Sequence, residues 1–113
     1  MKLPNQDRIK QEQILEKLTT YALNFNHTDG KDKARLFNAK LGITLNNKEK
    51  LIKAIFDAVK TQSVAYHTTS QYGDKYVIDF IMETEVGKSN IRTAWIIAFD
   101  ENYPRLISIY PIQ

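Results

Sequence analysis

Apolar residues along this chain recur at helical spacing up to Thr61 and at alternate positions after it, so helices come first and a sheet second. Ile14, Leu18, Tyr21 and Ala22, then Phe25, mark an amphipathic helix over Gln11 to Leu23, with Glu12, Glu16 and Lys17 facing away. The polar break NFNHTDG leads into a second helix, Lys31 to Leu41. Thr28 or Asp29 is its expected N-cap, Gly42 its stop, and Ala34, Phe37 and Leu41 its buried stripe. Asn46 with Glu49 resembles a capping box for a third helix reaching Lys60, whose core face carries Leu51, Ile52, Ile55, Phe56 and Val59. Four strand patterns follow: Ser63–Thr68, Tyr76–Glu85, Ile91–Phe99 and Arg105–Tyr110. Gly73 with Asp74, Gly87 to Ser89, and the DENYP break supply the turns. Connections this short force antiparallel neighbours, because a parallel crossover needs a dozen or more residues. The expected architecture is α+β, three N-terminal helices packed on a four-stranded antiparallel β-sheet in a single domain, 1–113.

Bulk properties narrow the function classes. A chain of 113 residues, 42% hydrophobic and 26% charged, has room for one core and needs no covalent staple. With no cysteine, disulfides, thiolate zinc sites and cysteine nucleophiles are excluded, and a reducing compartment fits. The opening MKLPNQDRIKQEQ has no apolar run of a signal peptide, and no stretch approaches the roughly 20 apolar residues of a membrane span. The expected location is cytoplasmic, with no membrane partner. A formal net charge of +3 favours polyanionic partners mildly.

Motifs for phosphate loops, dinucleotides and the serine elbow are missing. Asp79 and Glu83 share a strand face but stand roughly 13 Å apart, too far to share a metal without other ligands. No metal and no cofactor is expected.

The candidate chemistry is cationic and aromatic. Lys31 and Arg35 fall on one flank of the second helix, and Lys33 with Lys40 on the other, bordering the buried stripe. Lys31 also stands in the first turn, where free N–H groups favour anions. Tyr72 and Lys75 flank the Gly73–Asp74 turn, suited to stacking on an unpaired base and touching its phosphate, or to covering the core edge. Arg92 interrupts an apolar strand, so it either pairs with Asp79 or Glu83 or receives a phosphate. Arg105 serves likewise or caps a strand end. His27 is either an acid–base residue near neutral pH or incidental to its polar loop.

Taken together, KLPN, HTDGKDKARLFNAKLGIT, QYGDKYVIDF, RTAWII and the final PRL resemble an uncharacterised bacterial family, a domain of unknown function found as short standalone proteins and as C-terminal modules of polymorphic toxins. The pattern covers His27, Gly30, Lys33, Arg35, Phe37, Gly42, Tyr72, Gly73, Tyr76, Asp79, Arg92, Trp95 and Arg105. Asp32 departs from it, where many relatives carry histidine. The layout is also similar to the barnase, EndoU, colicin and RelE group of metal-independent ribonucleases. That resemblance implies an endoribonuclease acting on RNA, with tRNA or mRNA as substrate, no DNA, and a neutralising protein partner. In it Lys33 or His27 would serve as acid–base, Arg35 and Arg92 would hold the phosphate, and Tyr72, Lys31, Lys75 and Arg105 would bind substrate. The competing expectation is a non-catalytic binding module, either a toxin-neutralising partner or a regulator.

Overall fold

The computed structural model describes residues 1–112. It is α+β, with three helices and a four-stranded antiparallel sheet. After a 3-10 turn at Gln6–Arg8, α1 spans Gln11–Lys17, α2 Lys31–Leu41 and α3 Lys48–Thr61. The strands are β1 (Tyr66–Thr69), β2 (Gly73–Glu83), β3 (Lys88–Ala98) and β4 (Arg105–Pro111), in the order β1-β2-β3-β4. Among the described residues no helix is long and apolar enough to cross a membrane.

Local chemistry explains where these elements depart from expectation. The helical run from Gln11 changes at Leu18 into a π-helical turn, Leu18–Ala22, in which Leu23 N–H reaches back to the Leu18 carbonyl at 2.9 Å. The wider turn shifts the stripe, so Tyr21 is half-buried and Phe25 exposed. Gly30, rather than Thr28 or Asp29, is the N-cap of α2. The loop's cap is instead His27, whose Nδ1 accepts the N–H groups of Asp29 and Gly30, both at 3.0 Å. A Cβ on Gly30 would overlap the Tyr21 carbonyl oxygen, so glycine lets the loop close on the π-turn. α2 ends at Gly42 in the left-handed region (φ 65), which L side chains rarely adopt. The capping box before α3 is Thr44 with Asn47, not Asn46 with Glu49.

Ile14, Leu18, Phe37, Leu41, Leu51 and Ile55 from the helices share one core with Ile78, Phe80, Ile91, Trp95, Leu106 and Ile109 from the strands. Trp95 is fully enclosed, its Nε1–H donating to Thr93 Oγ1 at 2.9 Å. The side chains opposite these on β2, β3 and β4 form a largely open face. Its rungs follow from the register: Lys75–Ile96–Arg105, Val77–Ala94–Ser108 and Asp79–Arg92–Tyr110. A bulge at Ala94/Trp95 lets Leu106 and Ile109, three residues apart, both face the core. Beside it, the Gln13 amide of α1 donates to the Leu106 carbonyl at 2.9 Å and accepts its N–H at 2.8 Å, satisfying the outer edge of β4.

Candidate functional site

Lys33 stands in the first turn of α2, and its side chain crosses to the β4 edge of the open face. Its Nζ donates to the Tyr21 hydroxyl at 2.8 Å and to Ser108 Oγ at 3.3 Å. It also lies over the rings of Tyr21 (4.6 Å to the centroid) and Tyr110 (5.3 Å). Among the described residues no carboxylate comes within ion-pair distance of it. A cation held by hydroxyls and ring faces keeps its net positive charge for an incoming anion.

Tyr21 connects this ammonium to the loop. The His27 ring meets it edge-on at 4.8 Å, and Lys17 Nζ lies 5.1 Å from its centroid. With His27 Nδ1 accepting two backbone N–H groups, the ring proton sits on Nε2. Tyr110 connects the ammonium to the sheet, where it stands directly across the β3–β4 register from Arg92. Arg92 Nε and Nη2 donate to the two oxygens of Asp79 at 3.0 and 2.9 Å, directly across the β2–β3 register. Asp79 first, then Tyr110, pushes the Arg92 pKa well above the usual guanidinium range, so its charge is fixed. Arg92 is still 41% exposed, and Asp79 uses two of its N–H donors.

His27, Lys33 and Arg92 are therefore joined through Tyr21 and Tyr110. The other candidates stand apart. Arg35 lies two residues beyond Lys33, about 200° around the helix, and forms a 3.6 Å surface pair with Asp32. Lys31 is exposed in the same first turn. Tyr72 is 67% exposed in the β1–β2 turn, with its carbonyl accepting Phe99 N–H, so it does not cover the core edge. The turn itself is Ser70–Tyr72, since Gly73 and Asp74 already pair with Ala98 and Ile97. Lys75 is exposed on the rung of Arg105, about four residues along the strand from Asp79. Arg105 donates to Tyr103 at 3.0 Å and to Glu101 at 3.4 Å, and the Tyr103 bond is the first cause of its raised pKa.

Three residues of the cluster escaped the sequence reading. Tyr21 read as core because a regular helix would bury it. Ser108 and Tyr110 read only as strand residues, although their alternation placed them on one face.

The chain resembles one chain of a solved structure described as a contact-dependent growth inhibition toxin–immunity protein complex from Klebsiella pneumoniae 342. The TM-score is 0.63 at 21% identity, over 85% of this chain and 92% of that one, a likeness of fold. Among curated proteins nothing matches. Residues 2–113 match the model of the domain of unknown function DUF6883, and the chain belongs to that family.

Proposed function

We propose that this protein is a metal-independent endoribonuclease of the toxin type, with its site at the Lys33–Tyr21–Ser108–Tyr110–Arg92 cluster. The observation that carries this reading is the Lys33 ammonium, held by two hydroxyls and two rings without a carboxylate, beside a second fixed cation. RNA supplies its own nucleophile. Its 2′-oxygen bonds to the adjacent phosphorus, the bond to the 5′-oxygen breaks, and a 2′,3′-cyclic phosphate remains. The 2′ proton has to be taken, one has to be returned to the 5′-oxygen, and the charge that builds on the phosphate has to be stabilised. Lys33 and Arg92 supply the stabilisation. The Tyr21 hydroxyl, held by Lys33, gives its proton to the departing 5′-oxygen, and a solvent water takes the 2′ proton. The phenolate left beside the ammonium is reprotonated from water. His27 positions Tyr21 and closes the loop. The likeness of fold to a chain of a toxin–immunity complex agrees equally with a toxin and with a toxin-neutralising partner.

The Asp79–Arg92 pair favours a second reading, a non-catalytic binding module, because a self-contained cross-strand pair needs no phosphate. Incubation with total RNA in EDTA separates the two. Cleavage by the wild type to 2′,3′-cyclic ends, at least 100-fold weaker in Lys33→Ala and in Arg92→Ala, supports the ribonuclease. Intact RNA beside folded protein turns the assignment to the binding module.

A further inference from the structure

One rung of the open face joins the Lys33 ammonium to an aromatic ring on the far side of the sheet. Tyr66 of β1 pairs with Val77, Val77 with Ala94, and Ala94 with Ser108, the residue that accepts from Lys33 Nζ. Residues paired in this way share a face, so Tyr66 stands on the same side as Ser108, Arg92 and Tyr110. Its neighbour His67 points the other way and stacks on the buried Tyr76. From Tyr66 to Ser108 is three strand spacings, roughly 14 Å, floored by the half-buried Val77 and Ala94. Tyr66 itself is 62% exposed. Among the described residues its hydroxyl has no hydrogen-bond partner, and its ring meets no other ring or cation.

The rungs on either side bring cations whose charge is not cancelled. Among the described residues neither Lys33 nor the exposed Lys75 has a carboxylate within ion-pair distance. Arg92 holds both oxygens of Asp79 and keeps further N–H donors. The other acidic groups nearby are accounted for. Glu83 stands at the far end of β2, opposite Lys88. Asp74 lies on the other face, bonded to Thr69 and His67. Glu101 is held by Arg105 and Tyr103.

We propose that Tyr66 is the stacking platform for an unpaired base of a single-stranded RNA, which crosses the sheet with one phosphate at Lys33 and Arg92 and another at Lys75. An exposed ring offers its face to any base not already stacked in a duplex, and cations beside it take the phosphates. A four-stranded sheet face has room for about two to three bases. The stacking expected of Tyr72 falls instead to Tyr66, because Tyr72 stands in the β1–β2 turn, outside the paired residues of the sheet. RNA as the ligand rests on the ribonuclease reading. The test measures binding to a strand that cannot be cleaved, so each can fail alone.

The probe is a fluorescein-labelled RNA dodecamer, 2′-O-methylated throughout and so without its nucleophile, titrated with the full chain as a single strand and as a duplex. Tyr66→Ala, with circular dichroism and melting retained, is expected to weaken single-strand binding at least fivefold, about the lower end of what one stacked base contributes. On the duplex the same variant should change affinity less than twofold. Tyr66→Phe keeps the ring and should bind the single strand within twofold of the wild type. If Tyr66→Ala unfolds, the wild type carries the test by NMR: the Tyr66 ring protons should move upfield under the single strand and stay in place under the duplex. Four outcomes overturn the proposal: no single-strand binding at millimolar protein, undiminished affinity in folded Tyr66→Ala or unmoved Tyr66 ring protons, an equal loss on the duplex, or displacement of the probe by an equal concentration of a twelve-glutamate peptide. Intact natural RNA beside Tyr66-dependent binding of the probe removes the ribonuclease and keeps this face. Cleavage beside Tyr66-independent binding does the reverse.

Discussion

Lys33 differs from its neighbours only in where the fold sends it. Lys31, Lys33 and Arg35 look alike in the string KDKAR, and helical spacing separates their directions without ranking them. The ranking comes from Tyr21, Ser108 and Tyr110, which lie 12 and 75 positions from Lys33 for the two hydrogen-bonded partners and on different elements. No local pattern joins them. Arg92 was more legible, since a guanidinium within an apolar strand must find a partner, and Asp79 was one of two that sequence could name. The pair also makes a prediction at this scale. Arg92→Ala leaves the half-buried Asp79 carboxylate without its bidentate donor. The double variant Asp79→Ala, Arg92→Ala is therefore expected to unfold at a higher urea midpoint than Arg92→Ala alone. Equal midpoints would mean that the two side chains do not stabilise the fold jointly.

At the level of elements, α2 runs from Lys31 to Leu41 as its stripe and terminal glycine indicate, because Gly42 adopts a conformation other residues avoid. The strands were legible from alternation, but β2 begins earlier than expected. Gly73 and Asp74 are turn-forming types whose cross-strand pairing with Ala98 and Ile97 overrides that preference. The π-turn had no sequence signature, and with it Tyr21 packs half-buried at the margin of the core. Its geometry depends on Gly30, where any Cβ meets the Tyr21 carbonyl. Gly30→Ala should cost about 1–3 kcal/mol in urea denaturation, the usual range for forced overpacking. It should also weaken the Tyr21–His27 ring contact, visible in the His27 ring-proton shifts. An unchanged stability would show that the loop relaxes freely.

For the molecule as a whole, two groups near the β1 end of the sheet make stability depend on pH. Burial first, and then the nearby Asp74 charge, pushes the Tyr76 phenol above its ordinary value. The unfolded chain would ionise this tyrosine near pH ~10 while the folded one keeps it neutral. Its contribution is therefore complete below ~10 and is lost as pH rises through the folded value. Tm should fall between pH 9 and 11, and Tyr76→Phe should flatten that fall. Hydrogen bonds from Thr69, then His67, hold Asp74 below the usual carboxylate range. Its contribution is present above the unfolded value of ~4 and is lost as pH drops below it. Thr69→Val should soften the acid loss, and an identical acid profile would contradict the assignment.

Lys33→Ala tests the central claim most directly, when single-turnover RNA cleavage in EDTA and the stability of the same preparation are measured together. The account predicts a fall of at least 100-fold in rate with the melting transition retained, because the ammonium is held at the surface by hydroxyls and rings and not by the core. A wild-type rate in the folded variant would contradict it.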